Sequence, residues 1–204
     1  MKKLLAFILV IATLLFAVSC EDENRKYNEE DIKDAAETLL PKTKRLNDIF
    51  WGSGIRYVED DNYKEGKYYP ADPIHLSELG YESVDGILRA TKKVFSEGIY
   101  NVIYSTIFTR SSMDMDFVRY YQSEDRIMVN PDFKIELYDK VEYLTDTIKV
   151  LGSKGERVEI SVDVKITQNE TGETQIREKN FFLVEEEGEW KIDSFTYAKF
   201  MSNK

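Results

Sequence analysis

Arg157-Val158-Glu159-Ile160-Ser161-Val162-Asp163-Val164-Lys165-Ile166-Thr167-Gln168 alternates apolar and polar side chains without interruption. Consecutive side chains of a strand point to opposite faces, so the stretch is a strand with one face in a core and one in water. A strand buried on both faces of a parallel sheet would instead read as a continuous apolar run. The pattern decides for an antiparallel sheet.

Working outward, Val141 to Leu151 precedes this strand, and Gln175 to Glu185 and Glu189 to Tyr197 follow it. Turn residues at Asn169 to Gly172 and at Glu187-Gly188 separate them. Phe117 to Gln122 and Arg126 to Asn130 read as a hairpin. Upstream the period lengthens. Ser83 can cap a helix whose apolar set is Val84, Ile87, Leu88, Thr91, Val94 and Phe95, and Gly98 separates it from another, Ile99 to Phe108.

At the start, Asn28 followed by Glu29, Glu30 and Asp31 is an N-cap with negative charge in the first turn. Ile32, Ala36, Leu39, Leu46, Ile49 and Phe50 then recur at helical spacing. Pro41 predicts that this helix, Asn28 to Phe50, is kinked or divided after Leu40. Helices followed by an antiparallel meander predict an α+β fold, with N-terminal helices packed on a curved antiparallel sheet of the cystatin-like, cone-shaped kind. A single domain over residues 29–204 accounts for the patterns, with no internal repeat.

The amino end reads as an address. Met1-Lys2-Lys3 is a positive start, and Leu4 to Ser19 carries no charge and is short for a membrane-spanning helix. Ala17-Val18-Ser19-Cys20 resembles a bacterial lipobox, with Ala17 where Leu is usual. The resemblance implies removal of residues 1–19 as a signal peptide and attachment of a diacylglyceryl group to Cys20. Cys20 is the only cysteine of the 204 residues, so it has no internal disulfide partner. Two acyl chains at one site give stable membrane attachment. Residues 20–28 then form a lipidated tether, whose stretch Glu21 to Asn28 reaches at most roughly 28 Å.

Charge bounds the partners. Removing residues 1–19 takes away Lys2 and Lys3, leaving 26 basic against 38 acidic side chains and a formal charge of -12 in place of -10. Nucleic-acid binding rests on cations that neutralise phosphates, so that class is disfavoured, as is a face that clings to anionic lipid. Basic or neutral partners fit.

Catalytic signatures are few. With His75 the only histidine and Cys20 assigned to lipid, zinc sites and Cys–His hydrolases lack their ligands or nucleophile. His75 lies near Ser77 in sequence, but a capping or surface role is the simpler reading. Asp114-x-Asp116 has the spacing of a metal–nucleotide motif, yet an acidic chain produces it by chance and its position suits a turn. Glu59-Asp60-Asp61-Asn62 offers oxygen ligands without the calcium-loop spacing. No cofactor or metal is expected.

Residues 51–73 form a long loop that holds Trp51, Tyr57, Tyr63, Tyr68 and Tyr69, the candidate partner-binding residues. Large amphipathic rings dominate binding hot spots and also stack on sugars. The alternative is that they pin the loop to the sheet.

Three stretches carry a family resemblance: Ser83-Val84-Asp85-Gly86-Ile87-Leu88-Arg89-Ala90-Thr91-Lys92-Lys93-Val94-Phe95, the strand Val158 to Ile166, and Phe182-Leu183-Val184-Glu185-Glu186-Glu187-Gly188-Glu189-Trp190-Lys191-Ile192-Asp193-Ser194. Together they resemble IseA-type inhibitors of cell-wall DL-endopeptidases and related Firmicute lipoproteins. The last stretch is also similar to the final hairpin of nuclear-transport-factor-like α+β cones, with Trp190 and Ile192 on one face. The resemblance implies a non-catalytic domain at the cell surface that modulates a peptidoglycan hydrolase. An anionic domain beside the membrane suits a cationic cell-wall hydrolase, since opposite charge raises encounter rates. Other readings are a small-ligand or saccharide pocket between helices and sheet, and a glycosidase built on two carboxylates.

Overall fold

The computed structural model describes residues 27–59, 68–109, 118–133 and 138–199. The signal segment, Cys20, Tyr63 and the Asp114-x-Asp116 spacing lie outside the described residues, as do Asp60, Asp61 and Asn62.

Helix α1 (Glu29–Trp51) starts where its cap predicts, with the Glu30 N–H donating to the Asn28 side chain at 3.2 Å. It is not divided at Pro41: all 23 residues form one helix. An interior proline costs about 3 kcal/mol. Beyond Pro41, however, Leu46, Ile49 and Phe50 are each at most 2% exposed, and burying such side chains contributes about 1.5–3 kcal/mol apiece. The ring of Pro41 faces solvent, while the Thr43 hydroxyl donates to the Leu40 carbonyl at 2.7 Å and supports the backbone beside the proline.

Two short elements were not expected: strand β1 (Tyr69–Pro70) and helix α2 (Pro73–Leu79), the latter capped by the Asp72 carboxylate. Helix α3 (Val84–Val94) begins at the Ser83 cap and buries Ile87, Thr91 and Val94. Helix α4 (Glu97–Ile103) starts earlier than Ile99, because Ser96 caps it and Gly98 falls in its first turn; a wider π turn (Tyr104–Phe108) continues it.

The expected single meander is two sheets. Strands β2 (Tyr120–Ser123) and β3 (Arg126–Val129) form a hairpin joined by β1 in the order β1-β3-β2. Strands β4 (Lys140–Lys154), β5 (Arg157–Thr167), β6 (Thr174–Glu186) and β7 (Glu189–Ile192) make the second, in the order β4-β5-β6-β7. All ladders are antiparallel. On β5, Val158, Ile160, Val162, Val164 and Ile166 are each at most 1% exposed. The alternation thus places the core as read.

Helix α1 lies against β4 and also against β7, the two outer strands of the larger sheet, so the sheet curls around it. Register shifts between Leu144 and Lys149 and between Val150 and Gly152 bend β4 and favour that curl. The β7 edge is closed by a parallel bridge from Phe95 to Ile192, with the Ser96 N–H donating to the Ile192 carbonyl at 2.9 Å.

The last strand stops at Ile192, short of the expected Tyr197. Beyond it the Phe182 N–H donates to the Ser194 hydroxyl at 2.8 Å, so a side chain replaces the ladder. The tail then enters the seam between helix and sheet. There the Tyr143 hydroxyl donates to the Thr196 carbonyl at 2.5 Å, and the Asn47 amide donates to the Thr196 hydroxyl at 2.8 Å. No helix among the described residues is long and apolar enough to cross a membrane.

Candidate functional site

The aromatic loop is positioned by the way α1 ends. That helix has no basic residue in its last turn, and its carbonyl end carries partial negative charge. Arg119, only 7% exposed, supplies the missing cation. Its guanidinium donates to the Phe50 carbonyl at 2.7 Å and to the Gly52 carbonyl at 2.8 Å. The neighbouring Tyr120 hydroxyl donates to the Ile49 carbonyl at 2.8 Å and accepts from the Ile55 N–H at 3.0 Å. Gly54 makes this approach feasible: its φ is 76°, and a Cβ there would fall on the Arg119 guanidinium.

From this anchorage the chain returns along the small sheet. Tyr57 bridges Ala71, the Val58 N–H donates to the Pro70 carbonyl at 2.9 Å, and the Asp72 N–H donates to the Arg56 carbonyl at 2.8 Å. The two ends of the 51–73 stretch therefore pair with each other and extend the sheet. Register sets Tyr69 opposite Val129 and Tyr120 in one row, and Pro70 opposite Met128 and Tyr121 in the next. Alternation then puts Tyr57 with Tyr69 on one face and Tyr68 with Tyr121 on the other.

Contacts follow that geometry. Tyr57 stacks on Tyr69 with centroids 5.3 Å apart and planes 20° apart. Tyr68 meets Tyr121 edge-on at 4.7 Å, and its hydroxyl donates to the Val118 carbonyl at 3.0 Å. Tyr57 and Tyr121 are each 37% exposed. Of the candidate residues, Tyr57 and Tyr69 thus pair on one face of the small sheet, while Tyr68 lies on the other face with Tyr121. Sequence reasoning missed Tyr121; the signal was that an inward Tyr120 forces its neighbour outward.

Trp51 goes elsewhere. Its ring meets Tyr197 edge-on at 5.7 Å, and its buried indole N–H has no hydrogen-bond partner. Tyr197 stacks on Tyr138 at 3.9 Å. These two tyrosines line a groove of about 740 Å³ between α1 and the start of β4, with Lys44, Asp48, Lys140 and Asn169 on its walls. Burial pushes the Tyr197 hydroxyl up to about 12, with Tyr138 adding to the effect. The interior of the curled sheet is itself filled: Phe181 is 5% exposed and packs edge-on against Tyr143 at 6.1 Å.

Charged groups beside the tyrosines are paired. Arg56 contacts Glu78 at 2.9 Å and Asp72 at 3.8 Å. His75 Nδ1 accepts the Arg56 N–H at 2.8 Å, and Ser77, two residues further along the same helix, does not share its face. Among the described residues, no group of three or more His, Cys, Asp or Glu is placed to hold a metal ion. The arrangement offers partly exposed rings and hydroxyls, which suits recognition. No protein-family model matches the chain, and no curated protein matches it.

Proposed function

We propose that the chain is a non-catalytic binding domain, lipid-anchored at Cys20 on the outer side of the membrane, that contacts and restrains a cationic cell-wall hydrolase. The observation that carries this reading is the aromatic edge of the small sheet: Tyr57 stacked on Tyr69 on one face and Tyr68 against Tyr121 on the other, with Tyr57 and Tyr121 partly open to solvent. Rigid amphipathic rings at a surface are the side chains that dominate protein interfaces. The formal charge of -12 left once residues 1–19 are removed favours a basic partner. The resemblance to IseA-type inhibitors and the lipobox-like Ala17-Val18-Ser19-Cys20 support the choice of partner and place.

The test is retention of wall hydrolases on the immobilised full chain, followed by inhibition assays with a Tyr57→Ala, Tyr121→Ala double variant. Loss of inhibition by tenfold or more in a folded variant supports the reading. Retention of no hydrolase, together with no inhibition by the unaltered chain, overturns it.

A second reading is favoured by the groove between α1 and β4. Its volume of about 740 Å³ lies within the roughly 300–1,000 Å³ of small-molecule sites, and its walls mix tyrosine with charged and amide groups. On this reading the protein binds a small ligand or saccharide there. Titration calorimetry with soluble wall saccharides decides it, and absence of heat up to millimolar ligand removes it.

A further inference from the structure

The larger sheet is covered unequally along its β6 side. Strand β7 pairs with β6 only from Leu183 to Glu186. One residue before that, the Phe182 N–H donates to the Ser194 hydroxyl at 2.8 Å, and the Phe182 carbonyl accepts the Asp193 N–H at 2.7 Å. Phe182 therefore turns both backbone groups away from β5. Along a strand these groups face alternate sides, and β6 pairs with β5 without a register shift from Thr174 to Val184. Asn180, Glu178, Ile176 and Thr174 thus direct their N–H and carbonyl groups past the edge of the sheet, over about 20 Å. None of these backbone groups has a hydrogen-bond partner among the described residues, and Ile176 is 60% exposed. Open edges are commonly spoiled by bulges or proline. Strand β4, at the opposite border, has its register shifts; β6 has neither a shift nor a proline.

The face of β6 shared with the buried Phe181 is rich in donors. Lys179 is half-buried, lies opposite Val162 of β5, and has no hydrogen-bond or ion-pair partner among the described residues. Arg177 donates to the Gln175 side-chain oxygen at 2.9 Å, and the buried Gln175 amide nitrogen has no acceptor among the described residues. Glu178 points to the other face, where it contacts Lys149 at 3.4 Å. The nearest acids along the donor face of the chain, Glu173 and Glu185, are each six residues from Lys179, about 20 Å away. We propose that this edge takes up an extended segment of another protein as an added strand, with acidic side chains turned toward Lys179 and Arg177 and an apolar one beside Ile176. Main-chain hydrogen bonds to the open edge supply affinity, and the alternate side chains supply selectivity. An apolar or basic segment would cover the Lys179 ammonium without giving it a counter-charge. A second copy paired antiparallel brings another Arg177 and Lys179 to the same face, so the cations also oppose self-association. The net negative charge of the chain acts against an acidic partner at long range, but beyond about 8 Å it is screened at physiological salt, and at contact the nearby cations decide. This surface is separate from the tyrosines of the small sheet and depends on neither the hydrolase nor the anchor.

Fluorescence anisotropy of two labelled peptides on the full chain tests this: an acidic one, Thr-Glu-Val-Glu-Val-Glu-Thr, and its counterpart with lysine in place of each glutamate. The acidic peptide is expected to bind at least about tenfold more tightly, and Lys179→Glu should reverse the order. Ile176→Pro removes an N–H that points away from β5 and so leaves the ladder whole. It should weaken binding at least about tenfold with the circular dichroism unchanged. N-methylation of the backbone amides of the acidic peptide, which blocks strand pairing without touching the protein, should do the same. Equal binding of the two peptides, undiminished binding of the N-methylated one, or no binding of the acidic peptide at millimolar concentration overturns the proposal. A concentration-dependent dimer that Ile176→Pro dissolves overturns it too, since a second copy would then occupy the edge.

Discussion

The guanidinium of Arg119 lies 2.7 Å from the carbonyl oxygen of Phe50 and joins the end of the longest helix to the smaller sheet. Replacing it by methionine leaves two helix-end carbonyls, those of Phe50 and Gly52, without a buried donor. The expected loss is about 2–4 kcal/mol of unfolding free energy, measured by urea denaturation. Arg119→Lys should rescue only part of it, since one ammonium cannot reproduce the planar fork. An unchanged midpoint for Arg119→Met would contradict the role given to this residue.

Gly54 tests the same junction from the other side. At a φ of 76° with the guanidinium in the space of a Cβ, Gly54→Ala is expected to destabilise by more than about 1 kcal/mol. Gly172 also has a positive φ, of 74°, but nothing lies within 4 Å of its Cβ position. Gly172→Ala therefore carries backbone strain alone and should cost less. Equal melting temperatures for the two variants would remove the steric argument.

Alkaline titration should separate the tyrosines. Burial pushes the hydroxyls of Tyr120 and Tyr197 up to about 12 from the ordinary 10.0, and Tyr143 is raised for the same reason. The unfolded chain would release these protons near 10, so between the two values the folded state binds more protons than the unfolded one. Stability is then complete below pH 10 and falls as pH rises from 10 through about 12. Tyrosinate absorbance followed with circular dichroism should show a last class that ionises together with loss of structure. A single class titrating near 10 with the fold intact would be the contrary result.

The two faces of the larger sheet should respond differently. Ile160 is 0% exposed and Ile176 is 60% exposed. Ile160→Ala is expected to cost about 2–5 kcal/mol, and Ile176→Ala less than about 0.5 kcal/mol. Similar costs at both positions would mean that the register is wrong.

The legible parts of the fold were those in which one local pattern spans many residues. Val158 to Ile166 fixed its own faces, and Asn28 and Ser83 marked helix starts because their side chains reach only two or three residues ahead. The rest depends on distant partners. Strand β1 has two residues and exists because Val129 and Met128 pair with it. Continuity through Pro41 reflects burial further along the helix, which outweighs a local penalty. In the candidate site, sequence proximity groups Tyr57, Tyr68 and Tyr69, but strand alternation divides them: the pairing of Tyr57 with Ala71 sets Tyr57 beside Tyr69, and Tyr68 falls on the other face. Trp51 departs from them because its neighbour in space is Tyr197, at the far end of the chain.

That same long reach shapes how the protein is made. Helix α1 finds its seat against β4 and β7, which lie much later in the chain, and Thr196 closes the seam by taking hydrogen bonds from Asn47 and Tyr143. A nascent polypeptide in which only this helix has been made lacks the pieces that would bury it. It stays loose until those later strands and the Thr196 segment have been made.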